Sequence, residues 1–307
     1  MRSQSCLVTI PCHNAQDWLE RAIVSVLEHK DPRVAILVCD DGSSDGSLEI
    51  ARSFKDQIHL QHGPNRGACH ARNLGLTFAL EQGFEHVLFL DADDYLSDQM
   101  LSGAIDTARR TAADMVVSDM HVLRADGTLH LRNRYGGRIQ PVEFFGGWMA
   151  GDYVNPSGIL WRTGFLEQIG GWDESLARAQ DFDITLRAMF HEPRLFKNPT
   201  GAAIHTQVNP NSITRNQSEN SLRSRYRAVG GLLASAKGTA FDTFSPQLCQ
   251  ELYHIARAAF RAGHRPLGRE ILAKLAHENY DRHPGTRLHG LAARLLGLET
   301  KVRLWRA

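Results

Sequence analysis

Two acidic segments of this 307-residue chain have residue types and a spacing that could bind a metal ion or a polar ligand. In the first, Asp91 and Asp93 stand one residue apart, directly after a short apolar run. Carboxylate oxygens are the hard ligands that Mg²⁺ and Mn²⁺ prefer, with water and substrate phosphates completing the coordination. Acidic residues at this point can also simply cap the next helix, so the triplet alone is a weak indication of a metal site.

The second acidic segment, Asp40-Asp41-Gly42, follows another apolar run. A carboxylate at the end of a strand can accept a hydrogen bond from a nucleobase N–H or a ribose hydroxyl. The alternative is an Asx turn in which the glycine supplies a positive φ. The sequence contains neither a GxGxxG nor a GxxxxGK[S/T] segment, so a metal ion and side chains would have to hold any phosphates.

Three more residues have types and positions that suit chemistry. Arg72 lies one turn into a predicted helix rich in small residues, where it is either a surface arginine or a ligand for a diphosphate. Asp181 begins another predicted helix, where it either caps the helix or removes a proton from an attacking hydroxyl. His205 ends a short apolar run and is either a structural histidine or a third metal ligand.

The elements that must position these residues alternate between short apolar runs and helical patterns. Asn14 is expected to cap the first helix, whose apolar residues recur at a spacing of 3.6. The predicted strands cover residues 6–10, 34–39, 58–61 and 86–90, and the next predicted helices cover 47–54 and 67–81. This alternation predicts an α/β fold with a parallel sheet between helices, whose strand carboxyl ends bring the acidic segments to one crevice.

The second half of the chain has a different pattern. A hairpin is predicted around Asp126-Gly127, with strands at 120–123 and 129–132, followed by a strand at 158–161 and a strand and loop over 195–218. Three or four amphipathic helices follow residue 219. We therefore expect an α/β domain over 1–218, with halves meeting near residue 118, and a helical region over 219–307; the family resemblance described below implies that the first is the catalytic domain.

Composition and charge restrict the class of protein. With 42% apolar and 22% charged residues, and no apolar run of the roughly 18 residues that a membrane span needs, the chain resembles an ordinary globular protein. Five scattered cysteines favour a reduced, cytoplasmic setting. Residues 221–307 carry 15 Lys and Arg against 6 Asp and Glu, so a basic tail follows an acidic body.

Two interpretations of the basic tail stay open: a helical bundle, or helices that contact an anionic membrane at its inner face. The second interpretation rests on basic side chains together with apolar residues near the end of the chain. These apolar residues are Leu295, Leu296, Leu298, Val302, Leu304 and Trp305.

The order of the motifs along the chain is more specific for a protein family than any single motif. Five motifs, taken in order, resemble those of the family 2 glycosyltransferases of GT-A fold. They are VTIPCHN at 8–14, CDDGSSDG at 39–46, NRG…ARN at 65–73, FLDADD at 89–94 and GGWDE…QD at 170–181. The resemblance covers about residues 5–215. It implies an inverting enzyme of the bacterial cell-surface polysaccharide type, which transfers a hexosyl group from a nucleotide-diphospho-sugar to a hydroxyl of a glycan or lipid-linked acceptor. No nucleic-acid partner is implied.

The resemblance also implies a role for each matching residue. Pro11, His13 and Asp40 would line the nucleoside pocket with Asp41 close by, and Arg72 would lie near the diphosphate. Asp93 would bind Mn²⁺ or Mg²⁺, with Asp91 nearer the ribose and sugar and His205 completing the metal site. Asp181 would be the catalytic base, and Trp172 and Asp173 would lie on the acceptor side.

Two departures from the family pattern and two rival functions accompany this assignment. His13 stands where many relatives have Tyr, and Gln180 stands where an acidic residue often precedes the base. One rival is a protein that binds nucleotide-sugars without turnover. The other is a nucleotidyltransferase, but 11–14 lacks the Gly-rich basic loop typical of those enzymes.

Overall fold

The computed structural model describes residues 5–97, 99–124, 126–131, 135–206, 217–280 and 297–300. The strands are β1 (Cys6–Cys12), β2 (Val34–Asp41), β3 (His59–Gly63), β4 (His86–Phe89), β5 (Tyr95–Leu96), β6 (Met115–Leu123), β7 (Leu129–Leu131), β8 (Arg138–Ile139), β9 (Ile159–Arg162) and β10 (Leu195–Thr206). The helices are α1 (Leu19–Leu27), α2 (Ser47–Ser53), α3 (Ala68–Gln82), α4 (Met100–Thr111), α5 (Pro141–Ala150), α6 (Thr163–Gln168), α7 (Gln180–Met189), α8 (Glu219–Ala236), α9 (Ser245–Ala262) and α10 (Arg265–His277).

The strands form one sheet in the order β3-β2-β1-β4-β9-β6-β10-β5, with β7 beside β6 and β8 beside β10. The first four strands in this order, β3, β2, β1 and β4, are parallel to one another, and β6 is parallel to β10. The antiparallel strand β9 joins these two parallel groups. The predicted α/β fold with a largely parallel sheet and flanking helices is thus confirmed.

Successive side chains of each strand point to opposite faces of the sheet, and the apolar ones pack against the helices. Val8 and Ile10 on β1 point to one face, where they pack in the same cluster as Ile23 of α1 and Leu101 of α4. This apolar layer fixes the strand ends, so the polar loops that follow β1, β2 and β4 start from rigid positions.

Two local predictions differ from the structure. Asn14 does not cap α1, which begins at Leu19; its backbone has φ of 51° and its side chain accepts a hydrogen bond from the amide of Ser44. The amide side chain therefore ties the first loop to the second instead of starting a helix. The hairpin at Asp126-Gly127 is present as β6 and β7, but β6 is longer than predicted and begins at Met115.

The chain divides into two compact units. The first comprises Met1–Glu174 and His191–Pro210, and the second comprises Ser175–Phe190 and Asn211–Ala307. The sequence-based boundary at residue 218 differs from this division at two places. The second unit begins at Asn211, and it also includes Ser175–Phe190, which contains α7. The predicted site residue Asp181 therefore lies in the second unit.

Within the second unit, α8, α9 and α10 pack together. The predicted apolar stripe is buried at Leu248, Leu252, Ile255 and Ala259. Several basic side chains pair with acidic neighbours, including Arg223 with Glu219 and Glu270. Of the apolar residues assigned to a membrane contact, Leu298 is buried, and the other five lie outside the described residues.

Two further properties concern the cysteines and the helices of the chain. All five cysteines are buried and none is in a disulfide. Burial raises the pKa of the Cys12 thiol to about 11, which disfavours the nucleophilic thiolate at neutral pH. Within the described ranges, no helix is both long and apolar enough to cross a membrane.

Candidate active site

Asp40, at the end of β2, presents two oxygens in different environments. Its Oδ2 atom accepts hydrogen bonds from Nδ1 of His62 at 2.8 Å and from the amide of Ser43 at 3.3 Å. Its Oδ1 atom is buried and meets no hydrogen-bond donor among the described residues. A buried acceptor without a donor costs free energy, so Oδ1 is a position at which a ligand N–H would be favoured.

Asp41, the next residue, has both oxygens engaged by backbone. They accept hydrogen bonds from the amides of Arg66 at 2.8 Å and Gly67 at 2.7 Å, just before α3. Gly42 allows this approach because its φ is +73° and a Cβ atom there would lie 2.8 Å from the amide nitrogen of Asn65. Asp41 therefore fixes the loop that precedes α3 against the end of β2.

His13, in the loop after β1, lies against the same two segments. Its Nδ1 atom is 2.9 Å from the carbonyl oxygen of Asp41, and its Nε2 atom is 3.1 Å from the side-chain nitrogen of Asn65. Pro11 is buried and pairs in register with Cys39 of β2. The ends of β1 and β2 and the loop after β3 thus form one continuous surface.

Arg72 and Asp91 form an ion pair. The Nη2 atom of Arg72 donates to Oδ1 of Asp91 at 2.7 Å, and the guanidinium lies 4.5 Å from the ring centroid of Trp172. The arginine side chain is 6% exposed and that of Asp91 is 23% exposed. Stacking on the indole and pairing with a carboxylate hold the guanidinium in one place, which suits recognition of phosphate oxygens.

Asn73 fixes the segment that carries Trp172. Its side-chain oxygen accepts a hydrogen bond from the amide of Trp172, and its nitrogen donates to the carbonyl oxygen of Trp172 and to Glu174. Hydrogen bonds from Asn73 and then His70 lower the pKa of Glu174, although burial opposes this shift. Trp172 is buried and supports Arg72, whereas Asp173 is exposed.

Asp94 is the buried acidic residue of the 91–94 loop. It accepts hydrogen bonds from Oγ of Ser157 at 2.9 Å, Nδ1 of His205 at 3.0 Å and the amide of Thr206 at 3.1 Å. Burial favours the neutral imidazole, but the hydrogen bond to Asp94 and the surrounding acidic charges outweigh it and raise the pKa of His205 to about 9.

The backbone of Asp93 is held by Arg21 of α1. The Nη2 atom of Arg21 donates to the carbonyl oxygen of Asp93 at 2.8 Å and to Oγ1 of Thr206 at 3.0 Å. The guanidinium also lies 4.5 Å from the ring centroid of Tyr95. The acidic loop is therefore fixed from the helix side as well as from β10.

The donor set of this loop fits a divalent cation that also binds substrate phosphates. Across the described parts of the chain, no three His, Cys, Asp or Glu side chains form a metal-binding group on their own. Mg²⁺ and similar ions, however, are often held by one or two carboxylates together with substrate phosphates and water. The hydrogen bond from Nδ1 of His205 to a carboxylate is also the arrangement that orients histidines for coordination through Nε2.

Asp181 lies in the first turn of α7, in the second unit. On the same helix, Asp183 accepts two hydrogen bonds from the guanidinium of Arg187, at 3.1 and 2.9 Å. Gln180, which stands where relatives often have an acid, donates to the carbonyl oxygen of Leu176. Asp183 is thus occupied by an intrahelical ion pair, and Gln180 ties the start of α7 to the turn before it.

The structure thus joins Arg72 to Asp91, and it joins His13 to Asp41 beside Asp40. No role was predicted from the sequence for five residues that hold the site residues in place: Arg21, His62, Asn73, Asp94 and Ser157. Asp94 and Asn73 lie within two of the motifs, FLDADD and NRG…ARN, so the sequence indicated that they are near the site but not which residues they contact. His62 sits in a short strand without any motif, and its role follows only from the pairing of β3 with β2.

Comparisons with known proteins agree with this architecture. The family model described as Glycosyl transferase family 2 matches residues 7–154. The chain is 25% identical over 224 residues to the uncharacterized glycosyltransferase EpsJ of Bacillus subtilis, an alignment covering 67% of this chain and 62% of that protein. It is 27% identical over 182 residues to the poly-beta-1,6-N-acetyl-D-glucosamine synthase of Staphylococcus epidermidis, covering 54% of this chain and 42% of the relative.

A solved structure extends the comparison to the whole fold. TarS residues 1–349 of S. aureus, in complex with UDP-GlcNAc, superimposes with a TM-score of 0.66 at 17% sequence identity, covering 95% of this chain and 92% of that one. At this identity the likeness shows the shared fold. The alignments with the curated relatives span less than two thirds of their length. Residues 7–154 of the chain thus match the model of glycosyltransferase family 2, and the chain shares the fold of the TarS structure.

Proposed function

We propose that the chain is an inverting glycosyltransferase of polysaccharide biosynthesis. In this proposal it transfers a hexosyl group from a nucleotide-diphospho-sugar to a hydroxyl of a glycan or lipid-linked acceptor. The observation that carries the proposal is the buried Oδ1 atom of Asp40, an acceptor without a donor among the described residues. This unpaired acceptor suits an N–H group of a nucleobase, so the proposed nucleoside ligand rests on a hydrogen-bonding position as well as on the motifs. TarS, which shares this fold, was solved in complex with UDP-GlcNAc.

The proposal gives the donor three contacts. Oδ1 of Asp40 accepts a hydrogen bond from the base, while Pro11 and His13 line the same pocket and Asp41 fixes its wall. Arg72 then exchanges its bond to Asp91 for the diphosphate oxygens, and this exchange frees Asp91 to accept from the ribose or the sugar. The buried indole beneath Arg72 keeps the guanidinium in place during the exchange.

We also assign the 91–94 loop to metal binding. Asp93, with Asp91 and His205, would hold Mn²⁺ or Mg²⁺, which when bound neutralises charge on the leaving diphosphate. Arg21 keeps the backbone of Asp93 in position, and Asp94 orients His205.

Asp181 is the general base of the proposal, on the strength of its match to the family motif. Inversion needs one carboxylate that takes the proton of the attacking hydroxyl, because the diphosphate leaves without protonation. Asp183 is unsuited to this role because Arg187 already occupies it. Trp172 and Asp173 belong to the acceptor side in the same proposal.

The test compares Asp181→Asn with Asp183→Asn, a matched change on the same helix. A thermal-shift panel of nucleotide-sugars with and without Mn²⁺ first identifies the donor, since a ligand of the folded form raises its stability. Release of nucleoside diphosphate is then measured. We expect Asp181→Asn to keep donor binding and lose about 10²–10⁴-fold in rate, and Asp183→Asn to stay near wild type.

Three outcomes separate the proposal from its rivals. Released nucleoside diphosphate supports transfer, pyrophosphate identifies a nucleotidyltransferase, and donor binding without any product identifies a binding protein. Near-normal turnover of Asp181→Asn would remove this residue from the mechanism.

The proposal that the basic C-terminal helices contact a membrane is separate. Its test is co-sedimentation with anionic liposomes at low salt, where electrostatic attraction is strongest. Failure to sediment under these conditions would contradict it.

A further inference from the structure

The two oxygens of Asp40 differ because a neighbouring strand engages one of them. His62 lies on β3, directly beside Asp40 in the register of the parallel pair β2 and β3. Its Nδ1 atom lies 2.8 Å from Oδ2 of Asp40. A carboxylate only accepts hydrogen bonds, so Nδ1 must carry the proton and donate it.

This hydrogen bond restricts how the carboxylate can rotate. The side chain of Asp40 is 1% exposed and that of His62 is 49% exposed, so the histidine reaches in from the surface to a buried acceptor. The amide of Ser43 donates to the same oxygen. With two donors on Oδ2, the carboxylate plane is fixed and Oδ1 stays the oxygen without a partner in the described chain.

We propose that His62 is a positioning residue of the nucleobase pocket, which holds Oδ2 of Asp40 so that Oδ1 alone receives the base. This inference rests on the proposed function. One available oxygen matches one N–H, as on the imide edge of uracil or thymine. Guanine presents two adjacent donors, which suit a carboxylate with both oxygens open. Cytosine presents one amino donor beside an unprotonated ring nitrogen, so a carboxylate oxygen at its N3 would meet an acceptor instead of an N–H.

The experiment measures binding of UDP, CDP and GDP to the full chain by calorimetry. The variants are His62→Leu, which removes the donor, and His62→Asn, whose side-chain nitrogen occupies about the position of Nδ1. His59→Leu is the matched control, because His59 is an exposed histidine on the same strand that contacts Phe78. Circular dichroism melting verifies that every variant is folded.

We expect wild type to bind UDP more tightly than CDP or GDP. His62→Leu should lose about 10-fold in UDP affinity with little change for CDP, as for one hydrogen bond to a charged acceptor. His62→Asn should recover most of that loss, and His59→Leu should bind as wild type does. A residue with a merely structural role would not change the ratio between the two bases.

The results distinguish this inference from the proposed function. If wild type binds no nucleoside diphosphate, the proposed function fails and the inference fails with it. If wild type binds UDP and His62→Leu binds it equally well, or His62→Asn is as weak as His62→Leu, only the inference is overturned. Equal affinity of wild type for the three nucleotides would overturn the base selection.

Discussion

The loops after β2 and β4 look alike in sequence but are built differently. Each has adjacent acidic residues, and in each one carboxylate anchors the loop while a neighbouring carboxylate is proposed to bind a ligand. Asp41 anchors the first loop through two backbone amides, whereas Asp94 anchors the second through His205, Ser157 and one amide. The first loop thus depends on backbone geometry, and the second depends on side chains, one of which titrates.

The largest effect is expected from Asp94→Ala. This change leaves the partly exposed, charged His205 and two buried donors, Ser157 and the amide of Thr206, without their acceptor. Removing one partner of a buried pair typically costs about 3–5 kcal/mol, and we expect the free energy of unfolding to fall by that amount. Urea denaturation measures it. Asp106→Ala is the control, because Asp106 forms an exposed pair with Arg33 and should cost about 1 kcal/mol or less. Equal losses in both variants would refute the anchoring role of Asp94.

The next effect separates Asp41 from Asp40. Asp41→Ala removes two hydrogen bonds from backbone amides to a charged acceptor, so we expect a loss of about 2–4 kcal/mol in the free energy of unfolding. Asp40→Asn should change stability by about 1 kcal/mol or less but weaken UDP binding by about 10-fold or more, because the amide offers a donor where the base needs an acceptor. Denaturation and calorimetry on both variants provide the test. The opposite pattern, with Asp40 essential for stability, would reverse the comparison of the two residues.

A pH effect on stability should appear through the second loop. The pKa of His205 is raised from 6.5 to about 9 in the folded chain, so its contribution is fully present below pH 6.5 and is lost as pH rises through about 9. At about 1.4 kcal/mol per pKa unit, and allowing for partial exposure, the loss is about 2 kcal/mol. Unfolding free energies at pH 6 and pH 9.5, compared between wild type and His205→Gln, isolate this contribution. An identical pH dependence in both proteins would contradict it.

The smallest effect concerns the backbone of the first loop. Gly42→Ala introduces a Cβ atom 2.8 Å from the amide nitrogen of Asn65 at a φ of +73°, and we expect a loss of about 1–2 kcal/mol. Gly63→Ala is the control, since a Cβ atom there meets no atom within 4 Å. Thermal melting of both variants measures the difference, and a neutral Gly42→Ala would show that this loop tolerates displacement.

The fold was predictable because its signals are local and repeated. Apolar runs of strand length alternate with helical periodicity through the first half, and the Asp126-Gly127 turn marks the hairpin of the second. The stripe of Leu248, Leu252 and Ile255 likewise indicated a packed helix, and these residues are buried. The start of α1 was missed because Asn14 suits a helix cap by type but is used to join two loops.

The site was predictable in its members but not in their partners. The acidic residues and Arg72 follow strand ends or helix starts, so their positions come from topology. Which carboxylate anchors a loop depends on residues far away in the chain, such as His205 for Asp94 and Arg66 for Asp41. No spacing rule within one sequence gives these contacts, because they arise when the strands are arranged side by side.

The bonds of Arg21 and Asp94 to β10 have a consequence for truncated forms of the chain. His205 and Thr206 lie on β10, the last strand among the described residues, although they bond to a loop that follows β4. A fragment ending before residue 195 would contain the whole DADD sequence yet lack two of the donors that Asp94 accepts. Such a fragment would assemble the early strands without the contacts that hold Asp94, so the loop after β4 is held in full only once β10 has been translated.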